Sequence, residues 1–383
     1  MKTNGSLPLL LLAAGLLLSA CAGNRSGASS DVGDTLVLRH ARNLTIVEYG
    51  DRTEVTLRDP WDTTHVLGRY TLSEKLKVKN EELNSASQNS SLLTLPSSLV
   101  EVPLQRAAVF SSVHCALLHE LQADEAVGGV CDIQFFNLPY YKEGISQGRI
   151  ANLGNSMQPN LEQIINLNPG AILPSPFENS GGLGRVERLG FPIIWCADYM
   201  ERTPLGRAEW MRFYGRLVGR AREADSIFLS VESRYLELCD LARSAKSRPR
   251  LLPEMPWSGQ WTLPGSGSSS SVLYADAGAE YLFAHLDGAG GIPLSTEKVV
   301  DKAIGADIWL IKHHGPLDRR QMISDTPLLE SVKAPIWWCD TSETLIYEET
   351  PFHPERLLEN LIAILHPELG IEAKYDYFKE LKD

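Results

Sequence analysis

Apolar residues recur every three or four positions at Trp210, Phe213, Leu217, Ala221, Ala224, Phe228, Val231, Tyr235, Leu238 and Leu241, the repeat of one buried stripe on an α-helix. No proline falls between Pro204 and Pro249. The spacing therefore predicts a single helix from Leu205 to about Ala242, roughly 50 Å long at ~1.5 Å per residue. Such a helix outspans a small domain, so it either buries its stripe in a bundle or ties two lobes together. The flanks favour the second arrangement. Before it the chain reads AAVFSS as a strand from Arg106 on, Val113 to Leu121 as a helix, and AVGGVCD as a second strand. Then come PNLEQIINLNPGAILPSP from Pro159, RVERLG, and FPIIWCAD ending at Asp198. After it the chain reads RPRLLPEMPW from Arg248, a helix in SSVLYADAGAEYLF, strands at ADIWLI and APIWWCD, and a last helix from Pro354 to Leu365. Glu162 stands eight residues before Gly170-Ala171, and Glu297 eight before Gly305-Ala306. The echo points to duplicated lobes.

Residues Thr35 to Thr71 alternate as strands do (LVLRH, LTIVEYG, EVTLRD), and Glu74 to Ser91 turns polar and loop-like. The expected fold is α/β, with two Rossmann-like lobes joined by one long backbone helix and a small β-rich N-terminal extension. The expected boundaries are 1–21 signal peptide, 22–103 tether and extension, 104–206 N-terminal lobe, 207–243 interlobe helix and 244–383 C-terminal lobe. The extension itself has no functional reading.

The first 21 residues carry one cation, Lys2, an apolar run from Leu7 to Leu18, and then Leu18-Ser19-Ala20-Cys21. This is the form of an export signal, and the run is too short to span a bilayer comfortably. The L-S-A-C string resembles the lipobox of bacterial lipoproteins, which implies cleavage before Cys21 and acylation of its thiol. A polar spacer from Ala22 to Asp34 then acts as a tether. The chain is expected in the periplasm as a monomer, lipid-anchored to a membrane. Five further cysteines have no C-x-x-C spacing and an odd count, and read mostly as small buried hydrophobes. A formal net charge of −12 argues against a nucleic-acid partner and suits a basic protein partner.

Two α/β lobes around a long helix, behind a lipobox, resemble the class III periplasmic binding proteins of ABC importers, which take up iron complexes, haem and vitamin B12. The resemblance covers about Leu104 to Pro367 and rests on QPNLEQIINLNPGAIL, LGFPIIWCADY, TPLGRAEWMRFYGRLVGRAREADSIF and LSTEKVVDKAIGADIWL. It implies a carrier that does no covalent chemistry and holds no resident cofactor. Its ligand would be a bulky metal chelate: a ferric siderophore, haem or cobalamin. Its partners would be ABC permease and ATPase subunits. It also implies one acidic docking residue per lobe, Glu178 in the first and Glu297 in the second. Glu297 suits a helix N-terminus equally well as a solvated carboxylate.

Ligands of open α/β sheets bind beyond the carboxyl ends of the strands, which nominates Phe177, Trp195, Trp257, Trp261, His313 and Tyr347. By the resemblance, Trp195 matches a pocket tryptophan of B12-binding relatives, and Tyr140-Tyr141 sit where first-lobe loops approach ligand. Trp257 and Trp261 flank a turn and either face a ligand or form a small core. The imidazole of His313 is the one weak metal-ligand candidate. Arg319 and Arg320 either pair with ligand anions or form a solvated face. The GSGSSSS string at Gly265 most simply supplies an N-cap serine. No P-loop, dinucleotide fingerprint, H-E-x-x-H or G-x-S-x-G occurs. The rival readings are an exported metal-dependent enzyme using His313 or His314, and a nutrient-capturing surface lipoprotein with no importer of its own.

Overall fold

The computed structural model describes residues 32–74, 98–177 and 183–382. The signal segment with Cys21, nearly all of the spacer, the polar stretch after Glu74, and Glu178 lie outside the described residues. Alternation in the N-terminal part builds the expected sheet: β1 (Asp34–Thr35), β2 (Leu44–Glu48), β3 (Thr53–Arg58) and β4 (Val66–Ser73) pair antiparallel in chain order, and β5 (Ser98–Glu101) joins β4 in parallel. Ile46, Val55, Leu57, Tyr70 and Val100 are its buried positions.

The first lobe runs β6 (Ala107–Val109), α1 (Ser112–Glu120), β7 (Val127–Val130), α2 (Pro139–Ser146) and β8 (Ala151–Asn152). A hairpin of β9 (Gly154–Asn155) and β10 (Gln158–Pro159) follows, then α3 (Leu161–Leu167) and β11 (Ile172–Leu173). The second lobe holds β12 (Arg250–Pro253), β13 (Gln260–Pro264), α7 (Ser269–Asp276), β14 (Glu280–Tyr281), β15 (Gly291–Ser295), α8 (Thr296–Ala303) and β16 (Ile308–His313). It ends with α9 (Arg319–Asp325), β17 (Ile336–Asp340), α10 (Ile346–Glu349), α11 (Pro354–Leu365) and β18 (Lys379–Glu380). The first sheet is ordered β11-β6-β7-β8, with Ile193 bridging in parallel beyond β11. The second is ordered β14-β12-β16-β17-β18. Reading β6 against β12, β7 against β14 and β11 against β16, the parallel strands follow one order in both sheets. The equivalence supports the duplication expected from the Glu162 and Glu297 echo. These strands are buried on both faces, as helix-covered parallel sheets require.

The single helix expected from Leu205 to Ala242 is broken into α4 (Pro204–Glu209), α5 (Met211–Leu217) and α6 (Ala221–Arg243). Gly219 adopts φ +69°, and the N–H of Arg220 donates to Gly215 O at 2.7 Å. This is a Schellman stop, with glycine in the left-handed position one residue past the C-cap. Gly215 is required for the turn, because a Cβ there would lie 2.4 Å from the Ala224 methyl as α5 folds against α6. The apolar period continues through the break, so periodicity alone runs the pieces together. The backbone helix is therefore α6, ~35 Å long at ~1.5 Å per residue. Phe228, Val231, Tyr235 and Leu238 are its buried stripe.

A second connection joins the lobes. Glu348 of α10 accepts the N–H groups of Asn137 and Leu138 at 2.9 and 3.1 Å, and Asn137 donates to the carbonyls of Thr341 and Thr344. His353, buried before α11, reaches Glu120 of α1 at 2.7 Å and Glu355 at 2.8 Å. Burial alone would lower the His353 pKa, but the two carboxylates overcome it and push it from 6.5 up to about 9. The five cysteines among the described residues are free and buried, as expected.

Because His353 holds its proton more tightly when folded, its stabilising contribution is complete below about pH 6.5 and is lost as pH rises through about 9. Thermal unfolding between pH 6.5 and 9.5 should show a falling midpoint in the wild type and a flatter profile in His353→Gln. Parallel profiles would remove His353 from the linkage.

Candidate functional site

At the carboxyl ends of the first-lobe strands the chain turns outward. β6 delivers Phe110 and Ser111, β11 delivers Pro174, Ser175 and Phe177, and the segment bridging β11 delivers Trp195. With Met157 and Leu183 they line a concavity of about 370 Å³. The second lobe faces a larger concavity of about 610 Å³, lined by Glu254, Met255 and Trp257 beyond β12, by Thr262 of β13, and by Ser268 to Ser270 at the start of α7. The first-lobe side contributes Tyr199 and Arg207 to this same concavity. The Tyr199 hydroxyl donates to Pro176 O, beside Phe177. Tyr199 therefore links the wall of the larger concavity, the cleft between the lobes, to the segment that lines the smaller one beside it.

The cleft has an asymmetric electrostatic character. Arg207 donates through Nε to Asp198 at 3.1 Å. Asp198 is buried and also receives Tyr214 Oη at 2.8 Å and contacts His114 Nε2 at 2.8 Å. Burial pushes the Asp198 pKa upward, but His114, Arg207 and the tyrosine hydroxyl outweigh it and hold it well below the usual carboxylate range. Asp198 is thus a fixed anion that orients Arg207. Across the cleft, Glu254 pairs with Lys312 at 2.6 Å. Burial opposes the Lys312 charge, yet Glu254 dominates and raises its pKa. At the α7 N-terminus Ser268 is the N-cap, accepting from Ser271 N at 3.2 Å, as the serine string predicts.

The structure brings some of the nominated residues together and removes others. Phe177 and Trp195 share the first-lobe wall, the former exposed and the latter partly buried. Trp257 is 80% exposed at a tight hairpin turn, where Ser258 and Gly259 both take positive φ. It stands between the 610 Å³ concavity and a neighbouring one of about 360 Å³. Trp261 is a correction. It is wholly buried, stacks on Trp309 with ring centroids 5.6 Å apart, and donates through Nε1 to Pro253 O. The period-2 alternation of β13 turns Trp261 and Leu263 inward together. Tyr140 is likewise displaced from the cleft, because α2 packs its ring beside His119 and under Arg149. Tyr347 is exposed on α10, its ring 6.0 Å from Lys312 Nζ, and lines neither half of the cleft.

Glu297 stands exposed in the first turn of α8, while Glu178 lies outside the described residues. His313 contacts Gly315 O through Nδ1 and lines the 360 Å³ concavity, whereas His314 is exposed. Among the described residues no group of three or more His, Cys, Asp or Glu side chains could hold a metal ion. Arg319 is engaged with Val332 O. Tyr199, Arg207, Met157 and Met255 are among the lining residues that were not nominated. Tyr199 follows the same strand that nominated Trp195 and was legible by that rule. Arg207 was hidden inside the expected long helix.

A family model described as "Periplasmic binding protein" matches residues 118–335. An uncharacterized lipoprotein of Methanocaldococcus jannaschii is 24% identical over 364 residues, spanning 90% of this chain and 85% of that one. A second uncharacterized lipoprotein of that organism is 21% identical over 301 residues, 74% of this chain and 75% of its own. Among solved structures, a periplasmic haem-binding protein from Pseudomonas aeruginosa superposes with TM-score 0.58 at 16% identity, covering 73% of this chain and 99% of that one. CeuE of Helicobacter pylori in a Ni-His complex gives TM-score 0.58 at 14% identity over 83% and 91%. The periplasmic vitamin B12-binding protein BtuF of Vibrio cholerae gives 0.51 at 15% identity over 70% and 99%.

The two hairpin tryptophans should separate in unfolding experiments. Trp261→Ala should cost roughly 3–5 kcal/mol of stability by urea denaturation, as for other large core truncations. Trp257→Ala should stay within about 0.5 kcal/mol of wild type, as surface changes do. Equal losses would contradict the placement.

Proposed function

As this chain belongs to the periplasmic binding protein family, whose members bind substrates rather than transform them, we propose that it is the substrate-binding lipoprotein of an ABC importer and that its cargo is a bulky metal chelate. Cys21 is the lipid-anchored residue, and the folded part works outside the cytoplasmic membrane. No helix among the described residues is long and apolar enough to cross a membrane. The observation that carries the reading is the interlobe concavity lined by Tyr199, Trp257 and Arg207, with Phe177 and Trp195 lining the concavity beside it. Large planar or poorly polar ligands bind by burial against such aromatic faces, with a few polar groups setting orientation. A ferric siderophore, haem or a corrinoid fits that chemistry, and the haem-binding and vitamin B12-binding structural neighbours favour the same class.

The two ties between the lobes, α6 and the contacts around Asn137, Glu348 and His353, favour a cleft that closes little on binding. Glu297 would then be presented to the permease on a nearly rigid surface, its exposed carboxylate meeting basic permease residues. The acidic balance of the chain suits that encounter.

The decisive measurement is a tryptophan-fluorescence titration of the chain lacking its first 21 residues with hemin, cyanocobalamin and ferric siderophores, corrected for ligand absorbance. Saturable quenching by one of them at micromolar or lower concentration is expected, and Trp195→Phe should reduce its amplitude. Flat responses to all would reject the cargo class. For docking, Glu297→Lys should impair uptake in cells while leaving ligand affinity unchanged; undiminished uptake would exclude Glu297.

A further inference from the structure

Trp195, which lines the first-lobe concavity, and Tyr199 and Arg207, which line the larger one, lie on one irregular stretch that includes α4. Irregular backbone does not hold side chains in register unless something braces it. Here the brace comes from the N-terminal extension at three separate points, one on β4 and two on the loop between β1 and β2. The Trp195 N–H donates to Tyr70 Oη of β4 at 3.0 Å. Two residues beyond Tyr199, the buried Glu201 carboxylate accepts the N–H groups of Arg42 and Asn43 at 3.0 and 2.9 Å, and also Trp210 Nε1. Two residues beyond Arg207, the wholly buried Glu209 accepts the N–H groups of Arg39, His40 and Ala41 at 3.0, 2.8 and 2.8 Å. Each cleft residue thus has a fixation point contributed by the extension within two positions of it.

The anchoring is specific in kind. Five consecutive main-chain N–H groups, 39 to 43, point at two carboxylates instead of pairing within their own sheet. Burying carboxylates without such donors would be strongly unfavourable. Tyr70 is itself seated in the core, its ring stacked near Phe213 of α5 with centroids 6.3 Å apart. The loop is also tied to α6, because Arg39 Nη1 and His40 Nε2 reach Glu232 at 3.1 and 2.7 Å. The same loop therefore reaches both the cleft segment and the backbone helix.

We propose that the N-terminal β-sheet is a positioning element of the ligand cleft, with Tyr70 the residue that sets Trp195. It is built into the site and is not an appended module with a separate role. The consequence for ligand binding rests on the cleft being the cargo site; the structural claim does not.

The test compares wild type, Tyr70→Phe and, as a control, Tyr49→Phe, whose hydroxyl faces Glu54 within the extension at 3.5 Å. In Tyr70→Phe, amide hydrogen exchange at Trp195 should accelerate about three- to tenfold, the range expected for one lost hydrogen bond. Hemin or cyanocobalamin, whichever binds the wild type, should bind several-fold more weakly. The thermal midpoint should move by only a few degrees, and Tyr49→Phe should change none of the three. Unchanged protection at Trp195, or faster exchange with undiminished binding, would overturn the proposal. Binding of neither compound by the wild type would sink the cargo reading, and the exchange result would still decide the brace.

Discussion

A carboxylate removed from water must recover its hydrogen bonds from the protein, and this chain removes three of them within twelve residues. Asp198, Glu201 and Glu209 are all buried, and between them they recruit two different parts of the molecule. Asp198 draws in His114 of α1, Tyr214 of α5 and Arg207. Glu201 and Glu209 draw in the loop that leads into the N-terminal sheet. The short segment carrying them is therefore the junction at which first lobe, helical connector and extension meet. It also presents Tyr199 and Arg207 to the cleft, and Trp195 stands just before it, so a segment held by three buried carboxylates underlies the candidate site.

Around that junction the two lobes repeat one sheet order, so the carboxyl ends of both sets of strands open toward the cleft. The Schellman stop at Gly219 shortens the backbone helix and folds α5 against its start. The covering of the first lobe and the spanning of the gap thus fall to different helices. The contacts of Glu348 and His353 with the first lobe add a fixed point away from α6. Two fixed points favour a largely preformed cleft, and preformation reduces the ordering cost of binding.

The charges lining the cleft are paired, Arg207 with Asp198 and Glu254 with Lys312. In a molecule of net charge −12, Arg207 is the basic group on the first-lobe side, and Asp198 holds it in one orientation. The aromatic groups around it are placed by different rules. Trp195 follows from a strand end and Trp257 from a tight turn, while Trp261, four residues further along, is carried inward by strand alternation.

The α/β class, the two lobes and the last helix could be read from the chain alone because they rest on local periodicity: three to four residues for helices, buried apolar runs for strands. Residues at strand ends, Phe177 and Trp195 among them, were legible for the same reason. The break at Gly219 was written as a glycine in R-L-V-G-R, but the apolar stripe continues past it, and only the close approach of Gly215 to Ala224 shows that the chain must turn there. The roles of Trp261, Tyr140 and Arg207 were decided by tertiary structure. Whether a ring faces a cleft or a core depends on which element packs behind it, and that neighbour lies far away in sequence. The brace from Tyr70, Glu201 and Glu209 is the extreme case: its partners are separated by more than a hundred residues, and the carboxylates look like solvated charges until folding removes the water around them.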